Sequence, residues 1–499
     1  MSKLPSDKTG IESSNQRTAV SAPTAFAIPG ATEQNWREYV EDFRRSGHEA
    51  VDWIAAYLEN TRQYPVLPAV KPGGLVDSLP AHGPDQGETF AQILADFQSE
   101  VMPAVTHWNH PGFMAYFGTT GSTPAILGEM LAAALNTNGL HWKTSPAVAE
   151  LEQVTLGWLR EWMGMPPEFF GMIFDTASTS SFHAMIAARE HLAPQSREEG
   201  MPAGFTVYAS EQSHSSIEKG AIALGVGQKN FRKIPCDAEF RARPDALEAL
   251  LKSDVAAGKR PLCIVAAVGT TSTTSVDPVS DFADIAERHG AWLHIDAAYA
   301  GVAAMLPEKR DILAGVERAH SLVVNAHKWL LTPIDCSAFY TRYPDALRKA
   351  LSLVPEYLRA SEDPRAVHLM DFGIPLGHRF RSLKLWFVLR YFGREGLQAI
   401  LRSHIAMAQK FAGWVDASAS FERVAPVPFS VVCFRCKGSD ADNLAILEKV
   451  NASGKIFLSN TKLNGQVVMR VAIGNLGTAL DDVELAWELL QQAAAECAR

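Results

Sequence analysis

The stretch Asn325-Ala326-His327-Lys328-Trp329 lies between two apolar runs, residues 322–324 and 330–331. Lysine is rarely buried at the end of such a run unless it has a partner or a chemical role. One such role is a Schiff base with the carbonyl group of a cofactor. On these five residues alone, a surface lysine after an edge strand is the favoured interpretation, so the decision depends on the sequence around them.

Upstream, residues 292–301 indicate a buried strand that ends at Asp296 and is followed by small residues. In open α/β sheets, ligands bind beyond the carboxyl ends of the strands. Pyridoxal 5′-phosphate (PLP) needs a lysine for its aldehyde and a carboxylate that keeps its pyridine nitrogen protonated. Asp296 and Lys328 each end a strand-like segment, with a helix-length segment at residues 307–319 between them, and so indicate a PLP site.

Composition narrows the class of protein. The chain has 499 residues, 47% of them hydrophobic, 20% charged, and a net charge of −9, which argues against nucleic acids and anionic membranes as partners. No apolar run approaches the ~20 residues of a membrane span, and the N-terminus lacks the pattern of a secretory signal. Six cysteines do not suggest a disulfide scaffold, and Cys433 and Cys436 lack a second pair for zinc, so we expect a cytoplasmic protein without a metal site.

Changes of pattern along the chain predict four segments. Residues 1–35 are expected to be a flexible tail, 36–120 a helical segment, 121–392 a large domain and 393–499 a small α+β domain. From Gly171, strands and helices alternate, which predicts a largely parallel sheet with helices on both faces. In the small domain, strands are predicted at 429–436, 456–458 and 467–473, with helices near 441–450 and 481–496.

Two stretches have two interpretations each. Hydroxyl and small residues at 175–181 begin a helical segment, where free backbone N–H groups can bind an anion, but serine and threonine also cap helices without any ligand. The aromatic segment 108–119 is broken by proline and glycine. Its aromatic side chains favour core or interface packing over a substrate pocket when taken alone.

Taken together and in order, these motifs resemble the group II PLP-dependent decarboxylases, most closely the aromatic-L-amino-acid decarboxylases, over roughly residues 36–495. The carrying stretches are Ala115-Tyr116-Phe117, Ser145-Pro146, residues 213–216, Gly269-Thr270-Thr271, residues 294–301, His327-Lys328-Trp329 and residues 374–384. The resemblance implies the type I, aspartate-aminotransferase-like fold, with a mostly parallel seven-stranded sheet. It also implies an obligate homodimer, with residues 36–120 in dimerisation and residues 138–141 reaching the partner's site.

The resemblance assigns roles to single residues. Lys328 would hold the cofactor aldehyde, Asp296 would pair with the pyridine nitrogen, and His214 would stack on the ring. His327 would contact the phosphate or help the proton steps. The remaining cofactor contacts would be Ala177, Ser178, Thr270, Ala298 and Asn325. The substrate pocket would be lined by Trp108, Tyr116, Phe117, Thr119, Leu140 and Gly377.

The chain departs from the family in its catalytic loop. The aromatic decarboxylases protonate the substrate Cα with a loop tyrosine, but here Leu369 stands at that position, with His368 beside it. Either His368 is the donor, or the alignment shifts and another group serves, or the missing tyrosine diverts the reaction to an aldehyde, ammonia and peroxide. We expect decarboxylation to the amine, with oxidative deamination as the alternative.

The pocket departs as well, because Asn138 and Leu140 replace an apolar residue and an aromatic. An aromatic amino acid of the tryptophan, tyrosine or dopa type is the expected substrate, since Trp108, Tyr116 and Phe117 are present. A smaller or more polar amino acid is the alternative. An aminotransferase would need an arginine for the substrate carboxylate; for Arg435 and Arg470 we favour structural roles.

Overall fold

The computed structural model describes residues 29–353, 363 and 365–497, and these form two compact units. The first unit contains residues 29–59 and 69–105, and the second contains residues 60–68 and the described residues from 106 onward. Residues 1–28, which are most of the predicted tail, lie outside the described residues, as do residues 498–499. Residues 354–362 and 364, which include part of the predicted catalytic loop at 357–373, lie outside them as well.

The first unit is helical. Its helices are α1 (Glu33–Glu59), α2 (Gly74–Ser78) and α3 (Phe90–Asp96). Thr89 and Gln92 form a capping box that starts α3 by satisfying free N–H groups at the helix end. No residue of α1 is buried within the chain, and Trp36, Tyr39 and Phe43 are exposed. Helix α1 therefore presents apolar side chains that are largely exposed.

The second unit contains the remaining regular elements. Its helices are α4 (Thr123–Leu135), α5 (Pro146–Trp162), α6 (Ala177–Leu192), α7 (Ser196–Glu199), α8 (Ser215–Ala223), α9 (Pro244–Ala256), α10 (Val279–His289), α11 (Ala326–Trp329), α12 (Pro344–Leu351), α13 (Arg381–Asp416), α14 (Asp440–Ala452) and α15 (Leu480–Cys497). Its strands are β1 (Phe170–Phe174), β2 (Phe205–Ser210), β3 (Phe231–Ile234), β4 (Arg260–Ala267), β5 (Trp292–Asp296), β6 (Ser321–Asn325), β7 (Ser337–Thr341), β8 (Phe421–Arg423), β9 (Val431–Cys436), β10 (Ser459–Leu463) and β11 (Gln466–Ala472).

The main sheet has seven strands in the order β1-β7-β6-β5-β4-β2-β3. Strands β6, β5, β4, β2 and β3 pair in parallel, while β7 runs antiparallel to both of its neighbours. Every residue of β2, β6 and β7 is buried, as expected for strands covered by helices on both faces. The predicted mostly parallel seven-stranded fold is confirmed.

The small sheet has four antiparallel strands in the order β10-β11-β9-β8. Helix α13 is broken at Gly393 (φ 63°), one residue beyond the predicted end of the large domain. The strand predicted at 456–458 is wrong. Phe457 instead forms an isolated bridge with Phe113, its N–H donating to Gly112 and its carbonyl accepting from Met114. The regular strand starts at Ser459, where pairing with β11 begins.

The helix predicted between Asp296 and Lys328 is also absent, since residues 307–319 form two short 3₁₀ turns, Pro307–Leu313 and Val316–Arg318. Gly315 separates them with φ 93°, a conformation that breaks a right-handed helix. Its Cα lies so close to Ser280 that a Cβ would meet that residue's backbone at 2.8 Å. The close packing of Gly315 against Ser280 therefore determines the conformation of this segment.

All six cysteines are free thiols. Cys433 is buried in β9 and Cys436 is partly exposed at its end. In the part of the chain that the structure describes, no helix combines the length and apolar character needed to cross a bilayer.

Candidate active site

The carboxyl ends of neighbouring parallel strands bring the predicted residues to one edge of the main sheet. Asp296, the last residue of β5, pairs with Ala267 at the end of β4 and with Val323 in β6. Strand β6 ends at Asn325 and leads directly into the short helix α11, which carries Lys328. The topology therefore places Asp296, Asn325 and Lys328 where an open α/β sheet binds its ligand.

Lys328 lies in a partly buried environment beside an aromatic ring. Its Nζ lies 5.0 Å from the centre of the Phe117 ring. Burial lowers the pKa of the Lys328 amine, while the negative charge of Asp296 acts in the opposite direction. A lowered pKa makes the neutral, nucleophilic amine more available at neutral pH, as attack on a carbonyl carbon requires.

His214 interacts electrostatically with both of these groups. Burial is the largest cause that lowers the pKa of His214, followed by the charge of Lys328, while Asp296 raises it. The imidazole caps helix α8, its Nδ1 accepting from the N–H of Ser216 at 3.2 Å. The neutral ring therefore carries its proton on Nε2. Asp296 Oδ1 accepts from the N–H of Ala298 at 3.2 Å, which fixes the carboxylate at the end of β5.

Helix α6 begins at Ala177, so the predicted cluster of hydroxyl residues forms its first turn. Thr176 is the N-cap and accepts from the N–H of Thr179. The N–H groups of Ala177 and Ser178 make no hydrogen bond to any described residue. A helix start with free N–H groups attracts an anion. A cavity of about 280 Å³ lies beside it, lined by Ser178, Thr179, Phe182, His214, Ser216, Lys219, Gly220 and Ala223.

Asn325 and His327 flank the lysine. The Asn325 amide is buried, and its Oδ1 has no hydrogen-bond partner among the described residues. His327 is buried as well, and its Nδ1 accepts from the N–H of Cys336 at 2.9 Å. Burial, and secondarily the charge of Lys328, lower the pKa of His327 to about 4. His327 is therefore a neutral imidazole whose Nε2–H is its available donor at physiological pH.

Thr270, a predicted cofactor contact, lies in a loop whose residues form hydrogen bonds with one another. Thr270 Oγ1 accepts from the N–H of Ser275 at 2.9 Å and lies 3.0 Å from Thr273 Oγ1. Gly269 adopts φ 92°, and a Cβ there would approach the Cβ of Ala300 to 2.7 Å. The loop after β4 can therefore lie against the residues that follow Asp296 only with glycine at this position.

Phe117 belongs to a stack of aromatic rings beside Lys328. Its ring lies 4.1 Å from that of Tyr299, which in turn lies 4.9 Å from that of Trp329. The Arg470 guanidinium lies 5.4 Å from the Phe117 ring and donates to the carbonyl oxygens of Thr271 and Ser272. Arg470 thus ties the small sheet to the loop after β4, in agreement with the predicted structural role.

The other aromatic residues of segment 108–119 lie close to Phe117 in sequence and point partly to solvent. Trp108 and Tyr116 stack with ring centres 5.9 Å apart, and their exposed fractions are 38% and 52%. Tyr116 adopts φ 52°, an unusual conformation for a residue other than glycine. Thr119 is half-buried. Among the predicted substrate residues, Phe117 has its ring next to the Lys328 amine.

Leu140, Gly377 and His368 form a second group. The segments that carry them are hydrogen-bonded to one another. Gly139 donates to the carbonyl of His378 at 2.8 Å, and Met370 donates to that of Leu140 at 3.1 Å. The His368 ring stacks on that of His141 at 4.1 Å.

The residues present fit PLP. The cofactor has an aldehyde, an aromatic ring with a basic nitrogen, and a phosphate. The chain supplies a buried amine, a carboxylate and an imidazole that influence one another's charge, and a helix start with free N–H groups. The unpartnered atom of the buried Asn325 amide completes the set, because a buried polar group normally has a hydrogen-bond partner.

A wider groove of about 420 Å³ lies elsewhere, lined by residues that include Asp237, Arg241, Arg243 and Asp277. Its two arginines are paired with Asp237 and Asp245. Because these charges neutralise each other, we expect the groove to bind a charged ligand less strongly than the site at Lys328.

Sequence reasoning missed Tyr299 and His183 as neighbours of the site. Tyr299 lies inside a motif that was quoted, but its stacking on Phe117 joins residues far apart in the chain. His183 accepts from the N–H of Ile374, which lies 191 positions further along the chain. A lone histidine in a helix gives no sequence signal of such a contact.

Comparison with known proteins decides the family. The model of the family described as "Pyridoxal-dependent decarboxylase conserved domain" matches residues 72–437. The chain belongs to this family. It is therefore a PLP-dependent amino acid decarboxylase, and the predicted cofactor and enzyme class are confirmed.

Relatives match nearly the whole chain. It is 42% identical over 477 residues to tyrosine decarboxylase 4 of Petroselinum crispum, covering 91% of this chain and 93% of that protein. It is 40% identical over 471 residues to a phenylacetaldehyde synthase of Arabidopsis thaliana, covering 91% and 96%. The crystal structure of an Oryza sativa TDC with PLP and tryptamine superposes with a TM-score of 0.89 at 37% identity, covering 91% and 98%.

Proposed function

We propose that this decarboxylase converts an aromatic L-amino acid to the corresponding amine and CO₂. The Phe117 ring beside the Lys328 amine, with the rings of Tyr299 and Trp329 stacked behind it, carries the proposal, because an aromatic wall favours a planar apolar side chain. The similarity to tyrosine decarboxylase 4 supports the same substrate class.

Each residue of the site has a part in this chemistry. When bound, PLP supplies an electron sink that allows a bond at the substrate Cα to break. Lys328 would hold the cofactor aldehyde, and Asp296 would keep the ring nitrogen protonated. His214 would lie against the ring, and Ala177, Ser178 and Asn325 would hold the phosphate, with Thr270 and Ala298 supporting the carboxylate side. The aromatic wall would exclude water from the substrate carboxylate, which favours loss of CO₂.

A direct test is to incubate the PLP-loaded protein with tryptophan, tyrosine, dopa and phenylalanine, and with glutamate and 2,4-diaminobutyrate as polar controls. We expect CO₂ and amine in equal amounts from at least one aromatic substrate. Turnover confined to the polar amino acids would overturn the proposed substrate class and favour the alternative suggested by Asn138.

The proton donor is proposed to be His368. Leu369 has no proton to give and is buried in a cluster with Val148, Ala149 and Phe380. His368 Nδ1 accepts from the N–H of Trp142 at 3.3 Å, so the neutral ring carries its proton on Nε2.

A second candidate function follows from the same position, because without a proton donor the reaction can turn to O₂ and yield aldehyde, CO₂, ammonia and peroxide. The similarity to a phenylacetaldehyde synthase favours testing it.

Replacing His368 by phenylalanine should raise the ratio of aldehyde to amine at least about tenfold, since a positioned general acid contributes about 10²–10⁴ in rate. Phenylalanine keeps a planar ring against His141. Amine, aldehyde and peroxide are measured together. An unchanged ratio would show that another group protonates Cα, and a wild-type protein that already yields equal amounts of aldehyde and CO₂ would establish the second candidate function.

We also propose a homodimer with shared active sites. Helix α4 exposes Leu127, Met130, Leu131 and Leu135, and helix α1 exposes further apolar side chains. A second copy of the chain would remove these surfaces from water. Residues 138–141, with the segments of Gly377 and His368 hydrogen-bonded to them, would then enter the partner's site. Free cysteines are compatible with action in the cytoplasm.

Hybrid dimers test the shared site. Mixing and reassociating Lys328→Ala chains with His368→Phe chains should restore about a quarter of the wild-type amine formation, because half of the random dimers are hybrid and each has one intact site. Each variant alone should remain below this level. No recovery in hybrids whose formation is verified by two affinity tags would place both residues of one site in the same chain.

A further inference from the structure

His183 lies on helix α6 and is completely buried. Its Nδ1 lies 2.8 Å from the carbonyl oxygen of Thr179, one turn earlier in the same helix. Its Nε2 accepts from the N–H of Ile374 at 3.2 Å. The ring also stacks on that of Phe174 at 4.1 Å, so both ring nitrogens and one ring face are in contact with other groups.

These partners fix the protonation of the ring. A carbonyl oxygen can only accept, so Nδ1 must carry the proton, and an N–H can only donate, so Nε2 must be free of one. Burial also lowers the pKa of His183 and keeps the imidazole neutral. One side chain therefore binds both an acceptor in α6 and a donor in a segment far along the chain. An aliphatic residue, serine or lysine cannot make both hydrogen bonds with the same geometry.

The segment 368–374 is seated closely on this part of α6. A Cβ at Gly373 would lie 3.2 Å from Cε1 of Phe174 and 3.7 Å from Nε2 of His183. The Phe372 ring packs on that of Phe170 at 5.1 Å, and the N–H of Met370 donates to Leu140. The hydrogen bond to His183 is thus one of several contacts that hold the segment, and it is made directly to the helix of the cofactor site.

The two segments that this hydrogen bond joins, helix α6 and residues 368–374, serve different parts of the reaction. The first turn of α6 carries Ala177 and Ser178, the proposed phosphate contacts. The segment beyond Ile374 leads to Gly377, a proposed substrate contact, and His368, the proposed proton donor, stands just before it. A displacement of Ile374 would therefore move substrate-facing residues while the helix start stays in place.

We propose that His183 is a positioning residue that fastens residues 368–377 to the cofactor-binding helix and thereby sets the affinity for the amino acid substrate. This inference rests on the proposed function. Because the hydrogen bond acts on the substrate-facing segment, its loss raises the KM for the amino acid and leaves the binding of PLP unchanged.

Three variants separate the hydrogen bond from simple filling of space. In His183→Gln, the side-chain amide reaches the position of Nε2 and can accept from Ile374. In His183→Asn, the amide reaches the position of Nδ1 and can donate to Thr179, but it is too short for Ile374. His183→Phe keeps the ring and its packing against Phe174 and makes neither bond. His191→Asn, at the exposed end of the same helix, is the control.

We expect the KM of the Asn and Phe variants to rise about fivefold, the effect of one net hydrogen bond. The KM of the Gln variant and of the control should stay within about twofold of wild type, and the PLP dissociation constant should stay within about twofold in all variants. If Asn does not fold, as judged by circular dichroism, Gln is compared with Phe.

Two results would overturn the proposal. One is a Gln variant with a KM as high as that of Phe, which would show that an acceptor for the N–H of Ile374 does not set the KM. The other is a PLP dissociation constant that rises with the KM, which would place the effect at the cofactor. Failure of the proposed function is separate, because wild-type protein would then give no amine in the same assay.

Discussion

Replacing Lys328 by alanine should abolish the visible absorbance of the PLP-loaded protein and lower amine formation by at least about 10⁴-fold. Nucleophilic groups that act as a unit with their surroundings have effects of this size. The amine lies beside the Phe117 ring, and burial lowers its pKa, so no exposed lysine can take its place without moving the cofactor. Absorbance spectra and single-turnover amine assays measure the two effects.

Lys462→Ala is the matched control for this experiment. Lys462 is exposed on β10, in the small sheet, and should leave absorbance and activity at the wild-type level. Circular dichroism of both variants checks folding. Retention of the absorbance and of amine formation by Lys328→Ala would show that another amine holds the aldehyde.

Replacing Asp296 by asparagine should lower kcat at least about a hundredfold, because a charge placed to stabilise the reacting state is lost. The substitution conserves shape, and its Oδ1 can still accept from the N–H of Ala298. The pKa of Lys328 should fall further, since the carboxylate raises it against the effect of burial. The pH dependence of the rate at which the apoprotein binds PLP tests the pKa of the amine, and steady-state kinetics test kcat. A kcat within about tenfold of wild type would exclude the assigned role.

The sequence predicted the parts of the fold that depend on local pattern. Strands β5 and β6 were predicted correctly because each is a short buried run, and Asp296 and Lys328 stood out because charges at the ends of such runs are unusual. Residues 307–319 were wrongly predicted as a helix because the approach of Gly315 to Ser280 is a tertiary contact. The strand at 456–458 was displaced for the same reason, by pairing with residues 112–114.

The residues of the candidate site also differ in how far the sequence predicted them. Residues that follow strands were found from their positions, and the structure brings Lys328, Asp296 and His214 into mutual electrostatic contact. His183 was missed because its partners are a carbonyl one turn away and a backbone N–H 191 positions along the chain. Gly377 and Leu140 were assigned through resemblance, and their proposed role depends on a second copy of the chain.

Reduction of the PLP-loaded protein with borohydride, followed by mass spectrometry of its peptides, tests the central claim most directly. Borohydride fixes the cofactor covalently to the amine that holds its aldehyde. The predicted result is a single pyridoxyl group on Lys328, lost in Lys328→Ala and retained in Lys462→Ala. A pyridoxyl group on any other lysine of the wild-type protein, or no modification at all, would contradict the site described for this decarboxylase.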